Sequence, residues 1–143
     1  MRARVSRHPL TREKLVALTA KWLKTAQNAI NDDPAFRALG SIDVTMGIKV
    51  ASAAFLVTFG GFSCHDVRKI RVSELRDADF VVEMNQKQWD AFLKGRTSGK
   101  GSTLAELDNV DGVIKAINPR KSLDFLRYHI SVQAFIDAGA RAA

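Results

Sequence analysis

From Ile42 to Val50 the chain alternates. Ile42, Val44, Met46, Ile48 and Val50 are apolar, and Asp43, Thr45, Gly47 and Lys49 stand between them. A period of two sustained over the whole run is the signature of a strand with one buried face, because successive side chains of an extended chain point to opposite sides. Such a strand needs neighbours for its hydrogen bonds and a cover for its apolar face, so the chain must fold around a packed sheet. The next segments comply. Phe55, Val57 and Phe59 share one face of a second strand with Leu56 and Thr58 on the other, and Gly60-Gly61 supplies a tight connection. Phe62 to Val72 reads as a third strand, polar and irregular enough for a bulge or a sheet edge. Asp79 to Met84, with Phe80, Val82 and Met84 on one face, is the fourth. The early connections are too short for helical crossovers, which predicts an antiparallel sheet.

Helical spacing flanks the strands. After Thr11, the residues Leu15, Leu18, Trp22, Ala26 and Ala29, widened by Val16, Leu23 and Ile30, make an amphipathic stripe. Asp33-Pro34 reads as an N-cap followed by proline at the first helical position, with Gly40 as a stop, predicting a short helix over Ala35 to Leu39. Asn85 with Gln88, and Thr103 with Glu106, have capping-box spacing. The first opens a helix carrying Trp89, Phe92 and Leu93; the second opens one carrying Leu104, Leu107 and Val110, ended by Gly112. Between them, Lys94 to Ser102 has the composition of a mobile Gly/Ser/Lys/Arg connector. After Asn118-Pro119, Leu123, Leu126 and Ile130 suit a helix, while Ile130 and Val132 equally suit a strand. The expected fold class is α+β: an antiparallel sheet covered on one face by several helices. One domain is expected over residues 1–143, with a basic arm and helix in 1–30 and the sheet and covering helices in 42–143.

A chain of 143 residues, 46% hydrophobic and 26% charged, has enough interior for one core and is far from the compositions of disordered or disulfide-built proteins. The longest apolar run, Ala53-Ala54-Phe55-Leu56-Val57, is well short of the ~20 residues of a membrane-spanning helix. The single cysteine, Cys64, rules out an internal disulfide and a multi-cysteine metal site, and suits a reducing, cytoplasmic setting. Most of the formal charge of +7 sits in residues 1–24, where Arg2, Arg4, Arg7, Arg12, Lys14, Lys21 and Lys24 face one acid, Glu13. That segment lacks the apolar stretch of a secretory signal, and its composition also fits a mitochondrial transit segment. The cluster suits either a solvated helix face or weak contact with an anionic membrane. Aromatic side chains are not concentrated there, which argues against single-stranded nucleic acid.

Three groups invite a chemical reading. The string GRTSGKGST, Gly95 to Thr103, resembles a phosphate-binding loop but spaces its glycines wrongly, puts Gly101 where a hydroxyl is needed, and follows a helix where that motif follows a strand. Cys64, His65 and Asp66 are the residue types of a nucleophile, base and orienting acid, yet in a regular strand Cys64 and His65 point to opposite faces; only a bulge could join them. His8 and His129 stand outside any metal-ligand spacing, and His129 beside Tyr128 suits a partly buried polar group. No metal and no cofactor is expected. The apolar side chains Met46, Ile48, Phe55, Val57, Phe59, Phe80, Val82, Met84, Trp89, Phe92, Phe125 and Phe135 either fill one core or line a cavity between sheet and helices, and periodicity does not choose.

The order of elements, with an Asp-x-x-Val strand (Asp79 to Val82) running into an immediately capped helix, resembles the sterol-carrier-protein-type lipid-binding domain. The segment ADFVVEMNQKQWDAFLKGR, Ala78 to Arg96, carries the resemblance, including the helix end at Lys94-Gly95-Arg96, and a looser likeness extends from Ile42 to Arg141. The resemblance implies an apolar tunnel between sheet and C-terminal helices that holds fatty acids, acyl-CoA esters, sterols or phospholipids, with no catalytic residue. A carrier of an apolar ligand, lined by the twelve side chains named above, is therefore the leading expectation. The alternatives are a cavity enzyme using His65 or His129 as base with Tyr128 as helper, and a basic module that meets an anionic membrane or nucleic acid.

Overall fold

Residues 17–142 are described by the computed structural model, in which the alternating run forms the first strand, β1, Val44–Val50. It pairs antiparallel with β2, Ala53–Gly60, through a two-residue turn whose Ala51 takes a positive φ of 55°. The Ala51 N–H donates to the Met84 carbonyl (3.1 Å) and its own carbonyl accepts from Lys49 Nζ (2.7 Å), which holds the turn. β2 pairs antiparallel with β3, Ser63–Ile70. The remaining strands are β4, Phe80–Met84, and β5, Ile114–Lys115, in the order β3-β2-β1-β4-β5.

The sheet is mixed, which corrects the antiparallel expectation: β4 runs parallel to β1, with Met46 opposite Phe80 and Val50 opposite Met84. A crossover is possible without an α-helix because the chain after β3 tightens into a 3₁₀ segment, Val72–Asp77, laid across the outer face of the sheet. Leu75 and Ala78 pack there on Ala54, Leu56 and Ile70. Gly47 makes room, since a Cβ on it would lie 2.9 Å from Leu75 Cδ2. Asp79 then fixes the start of β4: its N–H donates to the Thr45 carbonyl (2.8 Å) and its carboxylate accepts from the Thr45 N–H (2.9 Å).

The inner face carries the core. Met46, Ile48, Phe55, Val57, Phe59, Phe80 and Val82 meet helices α1, Ala20–Asn31, α3, Gln86–Ser98, α4, Leu104–Asp111, and α5, Ser122–Ala142; a one-turn helix α2, Pro34–Arg37, follows α1. The caps read from the sequence are all made: Asp33 accepts from Ala35, and Asn85 with Gln88 and Thr103 with Glu106 form both bonds of their capping boxes. α1 begins later than expected, because Thr19 caps it by accepting from the Trp22 N–H (3.1 Å). It buries Trp22, Leu23, Ala26 and Ile30 but not Ala29. Leu15, Val16 and the basic residues Arg2 to Lys14 lie outside the described residues.

One further correction and one open alternative concern the C-terminal half. The expected connector from Lys94 is helical through Ser98, and only the stretch from the left-handed Gly99 (φ 77°) to the Thr103 cap is loop. The chain folds back so closely that a Cβ on Gly101 would lie 2.5 Å from the Gly95 Cα, which is why both positions are glycine. The ambiguous end is helix throughout, and α5 buries Phe125, Val132, Phe135 and Ile136. Leu123, Leu126 and Ile130, the residues that suggested a helix, lie on its exposed side.

Candidate functional site

All twelve apolar residues singled out in the sequence come together in one buried cluster, each 6% exposed or less. Register explains the convergence. Met46 stands between Val57 and Phe80, and Ile48 between Phe55 and Val82, so three adjacent strands present their large side chains in rows on one face. The helices answer with aromatic rings. Phe135 meets Phe59 edge to face (5.3 Å between centroids), Phe125 meets Phe80 (5.4 Å), and Trp89 meets both Trp22 (5.6 Å) and Phe92 (5.9 Å). The indole N–H groups of Trp22 and Trp89 are buried and have no hydrogen-bond partner among the described residues.

Phe92 also reaches the surface. With Ala91 and Leu107 it floors a groove of about 350 Å³ between α3 and α4, rimmed by Lys87, Gln88, Ser102 and Asp111. Gln88 and Asp111 are shared with a second hollow of about 330 Å³ at the carboxyl ends of β1 and β4. This one is polar, and the charged side chains around it include Lys49, Glu83 and Lys115; Lys49 Nζ lies 4.0 Å from a Glu83 carboxylate oxygen. The two hollows, one apolar and one polar, lie on either side of Gln88 and Asp111, beside the first turns of α3. The polar hollow sits where β1 turns into β2 and β4 runs into the start of α3. Lys49, Lys87, Gln88, Asp111 and Lys115 were not anticipated as a group. They come from four different elements, one of them a two-residue strand too short to show any period.

The loop on the groove's far side is held from α5. The Asp137 carboxylate accepts from Arg96 Nε (2.9 Å), Arg96 Nη2 (2.8 Å) and Gln133 Nε2 (2.9 Å), and Arg96 also donates to the Gly101 carbonyl (3.3 Å). Gln133 turns its oxygen to the Leu104 N–H (2.7 Å) at the start of α4. Burial works against the Asp137 charge, but the hydrogen bonds from Arg96 and Gln133 and the charges of Arg96 and Arg141 outweigh it and hold the carboxyl below the usual range. Asp137 in turn keeps the Arg96 guanidinium firmly protonated. Composition alone suggests flexibility for this loop, yet one bidentate ion pair and a glycine contact fix it.

The Cys64-His65-Asp66 group does not assemble as a nucleophile with its base. A bulge is present, with His65 as the extra residue between the Thr58–Asp66 and Phe59–Cys64 pairs. It turns His65 and Asp66 outward together and leaves Cys64 buried in the core. Burial pushes the thiol up to about 12, with the Asp66 carbonyl accepting from Sγ at 3.7 Å as a smaller opposing influence. α1 clamps the bulge from outside: the Asn31 side chain accepts from the Cys64 N–H (2.8 Å) and donates to its carbonyl (2.9 Å), and Gln27 donates to the same carbonyl (3.0 Å). On α5, His129 rests its ring near Phe125 (6.1 Å) and borders a shallow hollow with Leu39 and Gln133, while Arg127 lies over the Tyr128 ring (5.9 Å). Among the described residues no cluster of His, Cys, Asp and Glu is placed to hold a metal ion, and no helix is long and apolar enough to cross a membrane.

No family model and no curated protein matches the sequence. A solved structure does share the fold: the solution structure of a conserved hypothetical protein from Thermus thermophilus, described as a possible sterol carrier protein, superposes with a TM-score of 0.66 over 90% of each chain at 17% identity. The mixed sheet and its helical cover are thus a sterol-carrier-protein-like α+β fold.

Proposed function

We propose that the protein binds an apolar or amphiphilic small molecule, such as a fatty acid, acyl ester or sterol, between the inner face of the sheet and the helices, and releases it unchanged. The observation that carries this reading is the position of Phe92, at once the floor of the open Ala91–Leu107 groove and part of the aromatic cluster that continues through Trp89 into the core. A hydrocarbon chain entering there exchanges water for apolar side chains at about 25 cal/mol per Å² of surface removed from solvent. The polar hollow beyond Gln88 and Asp111 gives a headgroup a place beside Lys49 and Lys115. The twelve cluster residues are the proposed lining, with Trp89 and Phe92 nearest the entrance. A fold shared with a possible sterol carrier protein supports the reading.

The test is titration of delipidated protein with a panel of fluorescent fatty acids, acyl esters and sterol analogues. Saturable binding near one equivalent is expected, together with a change in tryptophan emission that Trp22→Phe keeps and Trp89→Phe loses. Failure to bind any member of the panel rejects the carrier reading. A response carried by Trp22 alone moves the ligand away from α3.

A further inference from the structure

The most exposed large apolar side chains of the described residues fall within one stretch, from Val110 to Ile130. Three of them belong to α5. Leu123, Leu126 and Ile130 are 61%, 63% and 59% exposed, and their spacing of three and four residues places them on one side of the helix, opposite the buried Phe125, Val132 and Ile136. The charged side chains bordering this stripe at the start of the helix are three cations and one half-buried acid, Asp124. Arg120 and Lys121 precede it and Arg127 lies within it, all three exposed. Lys121 is paired with Asp79 (2.7 Å). The acid farther along the same side, Asp137, is already held by Arg96.

We propose that this stripe docks the protein on an anionic phospholipid bilayer, with Leu123, Leu126 and Ile130 entering the boundary between headgroups and acyl chains and Arg120 and Arg127 meeting the phosphates. Apolar side chains interleaved with cations on the outer side of a helix are what such an interface selects. Charge decides against the other occupants. A second copy apposed through the same stripe would bring like charges together, and the chain's own N-terminal segment, with Arg2, Arg4, Arg7, Arg12 and Lys14, carries the same sign. With Leu39 included, the exposed apolar surface is on the order of 400 Å², the size of a functional patch on a monomer. Docking of this kind does not rest on ligand uptake, because it concerns an outer surface and is tested without cargo.

Sedimentation with phosphatidylcholine vesicles, with and without phosphatidylglycerol, is the experiment. Binding is expected only to the anionic vesicles, to weaken with salt, and to fall at least tenfold in Leu126→Ser/Ile130→Ser. Arg127→Glu should lower it roughly 30-fold at low salt, since each cation near such a surface contributes about fivefold. All these positions are exposed, and unchanged circular dichroism checks the fold. A Leu126→Trp variant adds a positional readout: brominated phospholipid should quench its emission, whereas Trp22 and Trp89 are buried. Undiminished binding of the double variant, or no quenching at position 126, overturns the proposal and moves any attraction to the N-terminal basic residues. Self-association that the double substitution abolishes, without vesicle binding, also overturns it and makes the stripe a face between copies of this chain.

Discussion

Removing the Asp137 carboxylate should loosen the loop that borders the groove. Both partners of the Arg96–Asp137 pair are 20% exposed, so the pair is largely but not fully withdrawn from water. Asp137→Ala deletes the acceptor of two guanidinium bonds and of the Gln133 amide, leaving Arg96 only its 3.3 Å contact with the Gly101 carbonyl. Bonds to charged groups contribute about 1.5–3 kcal/mol apiece when buried, and residual exposure lowers that, so a loss of about 2–3 kcal/mol is expected. For a chain of this size that lowers Tm by about 8 °C. Asp137→Asn keeps one acceptor and should lose about half as much. Because the folded carboxyl has a lowered pKa, its contribution is complete above the unfolded value of about 4 and disappears as pH falls through the folded one. The stability gap between wild type and Asp137→Asn should therefore be constant from about pH 7 to 5 and narrow below about pH 4. Urea unfolding followed by tryptophan emission measures the gap, and amide exchange at Gly101 and Leu104 reports the loop. A change below about 0.5 kcal/mol for Asp137→Ala, typical of ordinary surface positions, would refute the reasoning, as would a gap that grows in acid.

Two other outcomes follow from close contacts. Gly101→Ala should destabilise by about 2 kcal/mol or more in the same unfolding assay, because its Cβ would collide with the Gly95 backbone rather than with a flexible side chain; a neutral result would mean that the turn opens freely. Cys64, with its pKa pushed to about 12, should react with a thiol reagent at pH 8 orders of magnitude more slowly in the folded than in the urea-unfolded protein, and comparable rates would show that the bulge opens readily.

What the sequence disclosed was the part of the fold written in local chemistry. The alternation from Ile42 to Val50 gave its own strand and face, and the caps at Asp33, Asn85 and Thr103 marked three helix starts because each bond lies within one turn. The parallel pairing of β1 with β4 goes with a crossover in which Leu75 lies against Gly47, a contact that no periodicity announces. At the C-terminus two apolar stripes compete: Leu123, Leu126 and Ile130 draw the eye, but Phe125, Val132, Phe135 and Ile136 have the larger rings and branched side chains that fit the sheet. The burial of the candidate lining was legible on the strands for the same reason, and at Trp89 and Phe92 from the stripe behind the Asn85 cap. Its rim was not, since Lys49, Gln88, Asp111 and Lys115 meet only through the tertiary arrangement.

The parallel union of β1 and β4 sets an order on synthesis and refolding. The meander β1-β2-β3 is local and can zip through short turns, but one side of β1 keeps its peptide groups unpaired until the 3₁₀ segment has crossed the sheet and β4 has arrived. During that interval the strand richest in alternating apolar residues, Val44–Val50, is a growing edge that another chain could extend. Until Leu75 and Ala78 have packed over Gly47 and β4 has paired, that edge is open to mispairing with neighbouring chains.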